Sequence, residues 1–140
     1  ISTNVLLISY NIHRSHRPSP MSLKSVRSPL ARRLWLMIIP GIEEYRAGAY
    51  REAFPLLLDS AKAGFPEAQC MLGNMYQLGL GEVEADKAKA IHWYYQSANQ
   101  GYSVATSNLA GMIWPISREA AAALNQLAQQ QGFVPQVQAS

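Results

Sequence analysis

The feature that most constrains this chain is an internal repeat of 37 residues. When the sequence is shifted by 37 positions against itself, nine positions carry the same or a closely similar residue. A fixed period of about 20 to 50 residues is typical of solenoids, in which each repeat buries its apolar face against its neighbours. The matched pairs are Ala53 and Ala90, Ser60 and Ser97, Ala61 and Ala98, Gly64 and Gly101, Phe65 and Tyr102, Ala68 and Ala105, Leu72 and Leu109, Gly73 and Ala110, and Met75 and Met112.

Each period divides into two predicted helices. Pro66 suits the first turn of a helix, and apolar residues follow it at helical spacing as far as Gly79. Asp86 is predicted to cap a second helix, which continues to Gly101. The same patterns predict further helices over residues 50–63, 103–114 and 117–131.

The amino-terminal part of the chain is basic. Residues 1–42 carry six lysines and arginines and no acid, whereas residues 43–140 carry six such bases against nine acids. Prolines and serines recur in residues 1–33, so we expect a flexible basic leader there, with the native start at Met21. The Arg- and Ser-rich composition of this leader leaves three further roles open: secretion, organelle targeting, or a tether to an anionic surface.

The repeat domain is expected to span residues 34–132, with a tail over 133–140. The apolar run Leu34–Ile39 is predicted to form the first helix of a leading half-repeat. At six residues it is the longest such run, far below the roughly 20 needed to cross a bilayer, so we predict no membrane span. The location that we expect is cytoplasmic, with secretion and organelle targeting left open. No basic stripe follows the periodic segments, which argues against nucleic acid as a partner.

No motif of catalysis or of cofactor binding is found. The glycine-rich linker 79–86 lacks the Lys-Ser or Lys-Thr of a phosphate-binding loop, and its three alternating acids lack the distal Glu of a calcium loop. His13 and His16 lie in the leader and are interpreted as an incidental part of the basic tail. We therefore predict no catalytic residue, no metal and no cofactor, and Cys70, the single cysteine, is interpreted as a core or groove residue.

The full repeat carries glycines, aromatics and charges in a fixed order. This order resembles the Sel1-like repeat, a relative of the tetratricopeptide repeat, over one complete repeat at residues 66–101, a half-repeat before it and a degenerate repeat after it. Glu82 is one residue more than the linker of that family usually has, and the last repeat lacks the Gly-x-Gly linker. The residues that carry the resemblance are Ala68, Leu72, Gly73, Tyr76, Gly79, Gly81, Val83, Asp86, Lys89, Ala90, Trp93, Tyr94, Ala98, Gly101 and Ala105.

The resemblance implies an all-α fold, a short α-α solenoid of antiparallel helix pairs in which the first helices line a concave groove. On the first helix of the full repeat, Cys70, Asn74 and Gln77 lie about 180° from the apolar face. Gly73 and Ala110 are small where the two helices of a pair must approach closely. The binding residues expected in the groove are Met71, Asn74, Gln77, Asn108 and Trp114.

The function implied is that of a non-catalytic adaptor or scaffold that binds a protein or peptide. Two alternatives stay open. Hydrolase activity on cell-wall or β-lactam substrates has been proposed for some members of the family, although no Ser, Lys and Glu constellation here supports it. The other alternative is a self-assembling structural repeat protein, in which weak self-association runs through the terminal helices.

Overall fold

The computed structural model describes residues 28–135. The predicted start at Met21, the leader histidines and the last residues of the tail lie outside this range. Within it every regular element is a helix, so the predicted all-α fold is confirmed. The helices are α1 (Pro29–Met37), α2 (Ile42–Arg46), α3 (Tyr50–Lys62), α4 (Pro66–Leu78), α5 (Lys87–Asn99), α6 (Ser103–Ile113) and α7 (Arg118–Gln130).

Consecutive helices pack against each other from α2 to α7, which is the arrangement of a solenoid. Helices α4 and α5 form the complete repeat, α6 and α7 form the next pair, and α2 and α3 form the leading one. Three of the helix starts are capped by side chains: Ser28 Oγ accepts the amide of Ala31 at 3.4 Å, Asp86 Oδ1 accepts that of Lys89 at 3.1 Å, and Ser117 Oγ accepts that of Ala120 at 3.2 Å. The predicted cap at Asp86 is therefore confirmed.

The leading pair differs from the prediction for Leu34–Ile39. Helix α1 begins at Pro29, inside the predicted leader, ends at Met37, and has no buried residue. The chain then turns at Gly41, whose φ of 95° suits glycine and whose Cβ, if present, would lie 2.7 Å from the backbone nitrogen of Leu57. The turn separates α1 from α2, so the apolar run does not form the packed first helix.

Helix α2 takes the place of that first helix. Ser60 Oγ donates to the carbonyl of Pro40 at 2.9 Å, and Ser97 Oγ donates to the carbonyl of Pro66 at 2.7 Å. The two serines are one repeat apart, so Pro40 is the structural counterpart of Pro66. The buried side chains of this region come from the turn and from the start of α2, where Ile39 and Ile42 are 2% and 0% exposed.

The core consists of two clusters on opposite sides of α4. Leu72 belongs to the first and Cys70 to the second, so α4 is buried on both faces and is the central helix of the stack. The first cluster contains Ile39, Ile42, Ala53, Leu57, Ala61, Phe65, Ala68, Leu72 and Met75. The second contains Cys70, Ala90, Tyr94, Ala105 and Leu109.

The extra linker residue Glu82 changes the structure locally. Its φ of 68° makes it the one residue other than glycine with a positive φ in residues 28–135. The Glu82 carboxylate accepts two hydrogen bonds from the Arg51 guanidinium, one of them from Nε at 3.0 Å. These bonds connect the linker to α3. Both side chains are 68% exposed, so the pair adds little stability.

None of the helices in the described range is both long enough and apolar enough to cross a membrane.

Candidate functional site

Side-chain amides join the first helices of the three pairs. Asn74 Nδ2 on α4 donates to the hydroxyl of Tyr45 on α2 at 3.2 Å. Asn108 Nδ2 on α6 donates to Asn74 Oδ1 at 3.3 Å. Gln77 lies one turn beyond Asn74 on α4, and we call Asn74, Gln77 and Asn108 the amide row. Three of the residues that the sequence predicts for the groove therefore lie on neighbouring first helices, and two of them are in contact.

Tyr94 of α5 bonds to the amide row from the buried side. Its hydroxyl lies 2.5 Å from Asn74 Oδ1 and 2.6 Å from Gln77 Oε1, and it has one proton to share between these two acceptors. Burial, followed by the proximity of Cys70, raises the pKa of the phenol, so the hydroxyl stays a donor at neutral pH. Tyr94 therefore turns both amide oxygens inward.

The amide row keeps hydrogen-bonding capacity that no described residue uses. Asn74 Nδ2 makes one bond, so one of its two N–H groups is unused. The Nδ2 group of Asn108 lies near Asn74 and the Cys70 sulfur, which leaves its Oδ1 as an acceptor. Gln77 is exposed and uses its oxygen alone, which leaves both N–H groups. The row thus offers donors and an acceptor at a partly exposed surface.

Cys70 and Met71 belong to the core more than to the groove. Cys70 is 3% exposed, because α5 and α6 cover the face of α4 on which it lies, and burial raises the pKa of its thiol to about 12. Met71 is half-buried and packs against the first core cluster. The helical periodicity places Cys70 on the correct face of α4, but it does not show that neighbouring helices cover this face.

Trp114 lies apart from the amide row. It caps the end of α6 and is 50% exposed, with the guanidinium carbon of Arg118 5.7 Å from its ring centroid. Six residues separate it from Asn108, which places the two about 120° apart around the helix. Trp114 is an exposed aromatic at the end of the stack, and it does not share a face with Asn108.

Polar side chains also link the helix ends in both complete pairs. Gln100 Nε2, at the end of α5, donates to the Gly64 carbonyl and to Gln69 Oε1, both at 2.9 Å. In the next pair, Thr106 Oγ1 donates to Gln131 Oε1 at 2.6 Å. The sequence analysis missed these links, although the sequence has a Gln directly before the glycine that ends each of these two pairs. The recurrence shows that the two pairs are built alike.

Within residues 28–135 no group of three or more His, Cys, Asp or Glu side chains is arranged to hold a metal ion.

These features define a helical-repeat protein whose unit is a pair of helices. Residues 66–102 match the Sel1 repeat family, so the chain contains a Sel1 repeat at α4 and α5, as the resemblance predicts. Sel1 repeats generally serve as scaffolds for protein interaction rather than as enzymes.

One curated protein with a related sequence is chitin synthase regulatory factor 3 of Schizosaccharomyces pombe. It is 40% identical over 58 residues, which are 41% of this chain and 6% of that protein. The chain thus spans only a small part of the length of this relative. No solved structure matches the chain.

Proposed function

We propose that the chain is a non-catalytic adaptor that binds an extended segment of a partner protein along the first helices α2, α4 and α6. The observation that carries the proposal is the amide row: Tyr94 holds Asn74 and Gln77, which offer the unused donors, and Asn74 holds Asn108, which offers the unused acceptor. An extended peptide presents an N–H and a C=O at each residue, and side-chain amides can bond to both.

Preorganisation favours such binding. Asn74 and Gln77 are held by the Tyr94 hydroxyl before any partner arrives, so less side-chain freedom is lost on association. Trp114 is proposed as an aromatic anchor beyond the row, because exposed aromatics often become hot spots when a partner buries them. The curated relative is named as a regulatory factor and not as a catalyst, which supports a non-catalytic role.

The test is affinity capture from a cell extract with the full chain and with the double variant Asn108→Ala plus Trp114→Ala. We expect partners of the unmodified chain to be recovered at least about tenfold less with the variant, which corresponds to about 1.4 kcal/mol of binding free energy. A matched control is Asn125→Ala plus Tyr95→Ala, which removes the same kinds of group from exposed positions on other helices.

The control variant is expected to recover the same partners as the unmodified chain. Identical partner lists from all three proteins would remove the groove assignment. Equal losses in the double variant and its control would also contradict it, because the effect would then not belong to the amide row or to Trp114.

A further inference from the structure

A cavity of about 370 Å³ lies where several helix ends meet. The starts of α4 and α6 and the ends of α5 and α7 surround it, and α1 closes one side through Arg32 and Leu36. The cavity is at the amino-terminal ends of α4 and α6, whereas the amide row lies further along these helices. It is therefore a separate feature of the molecule.

A buried carboxyl group lines this cavity. Glu67 is 1% exposed, and its Oε2 has no hydrogen-bond partner among the described residues. Burying a carboxylate without a partner costs several kcal/mol, so such a group is either neutralised or paired with a cation. Burial raises the pKa of the Glu67 carboxyl, which reflects this cost.

Two further residues of the cavity wall carry unused acceptors. The Gln100 amide nitrogen donates to Gly64 and Gln69, which leaves Gln100 Oε1 without a partner in residues 28–135. The hydroxyl of Tyr102 makes no hydrogen bond to the described residues, and burial, followed by the proximity of Cys70 and Glu67, raises the pKa of this phenol. The wall is therefore rich in acceptors.

The charge of the cavity is decided by its side chains. Two helix starts and two helix ends meet there, so the partial positive and partial negative charges of these termini offset each other. Arg32 also lines the cavity, but its side chain is exposed to solvent, where screening weakens its field. When a cation pairs with it, the buried Glu67 carboxylate acts at lower dielectric than Arg32 and so dominates.

We propose that this cavity binds a primary ammonium group, carried by the N-terminus of a peptide or by a lysine side chain, with Glu67 as its counter-ion. An ammonium has three N–H donors and no acceptor, which complements the unused acceptors of three residues that line the cavity, Glu67, Gln100 and Tyr102. Leu36 and Pro66 supply apolar wall for the carbon chain of the ligand.

The test is a titration of the ¹⁵N-labelled full chain with three small probes, followed by NMR. The probes are Ala-Ala-NH₂, N-acetyl-Ala-Ala-NH₂ and n-butylammonium, each at matched ionic strength. We expect an ammonium probe to shift the backbone amides of Gly101, Ser103 and Gly132 in a saturable way, with at least about tenfold higher affinity than the acetylated peptide. The tighter of the two ammonium probes identifies the source of the group.

Two results would overturn the proposal: equal affinity for the free and the acetylated peptide, or no saturable shift with either ammonium probe. The variant Glu67→Gln is expected to weaken ammonium binding at least about tenfold, because it removes the charge and keeps the shape. Glu52→Gln is the matched control, since Glu52 also lies in the first turn of a helix but is exposed. Unchanged binding by Glu67→Gln would likewise refute the assignment.

If Glu67→Gln does not fold, the comparison of free and acetylated peptide on the unmodified chain still decides the question. No partner protein enters the titration, and neither Asn108 nor Trp114 lines the cavity. Failure of this proposal and failure of the groove assignment are therefore distinguishable.

Discussion

Replacing Tyr94 with alanine is expected to reduce the free energy of unfolding by roughly 3 to 5 kcal/mol, as for other large buried aromatics. Tyr94 is fully buried and is the largest such side chain in the described residues. It fills the second core cluster, and its hydroxyl bonds to Asn74 and Gln77 on α4. Because a domain of this size has only about 5 to 15 kcal/mol in total, urea denaturation should show a large shift of the midpoint.

The neighbouring Tyr95 provides the matched control. It is 54% exposed on the same helix, so Tyr95→Ala is expected to change the unfolding free energy by no more than about 0.5 kcal/mol. Similar losses for the two alanine variants would contradict the placement of α5 on α4.

The variant Gly73→Ala is expected to destabilise the chain by about 1 to 3 kcal/mol through overpacking. A Cβ on Gly73 would lie 2.7 Å from both Cδ1 and Cε1 of Tyr94. The ring has no room to withdraw, since it is fully buried and its hydroxyl is bonded to α4. The clash therefore outweighs the roughly 1 kcal/mol by which alanine favours a helix over glycine.

Gly111→Ala is the matched control for this prediction, and the expected sign is opposite. Gly111 lies in α6, as Gly73 lies in α4, but nothing would lie within 4 Å of its added Cβ. We expect a gain of about 0.4 to 1 kcal/mol in thermal or urea unfolding, because alanine restricts the unfolded chain. A gain at both glycines would mean that Tyr94 does not pack on Gly73.

The repeat architecture could be predicted from the sequence because its signals are local and periodic. Gly64 and Gly101, 37 residues apart, both have positive φ just after a helix, and Pro66 begins α4. Small residues at matched positions also indicated the close approach of helices, and Gly73 faces the Tyr94 ring as that reasoning requires. Such features need no knowledge of distant contacts.

The leading pair and the organisation of the amide row could not be predicted in the same way. In the leading pair, the apolar pattern predicted a packed first helix, but the turn at Pro40 and Gly41 ends this segment and a new helix begins after it. In the row, Asn74 contacts Asn108 at a separation of 34 residues, because packing staggers neighbouring first helices and the repeat offset does not fix that stagger.

Tyr94 links stability to the proposed function. Its ring packs against Gly73 in the core, and its hydroxyl orients the amides that we propose as the binding surface. The sequence predicts apolar packing for such a tyrosine and a polar tip that can reach a partner or water, but it does not identify the partners, because Asn74 and Gln77 lie on another helix.

The most direct test of the stacked-pair architecture is a nuclear Overhauser experiment on the labelled full chain. We predict cross-peaks between the Tyr94 ring protons and the Gly73 α-protons, which report packing within a pair, and between the side-chain amide of Asn108 and Asn74, which report contact between pairs. A folded, helical chain that shows neither cross-peak would contradict both the stacking and the amide row.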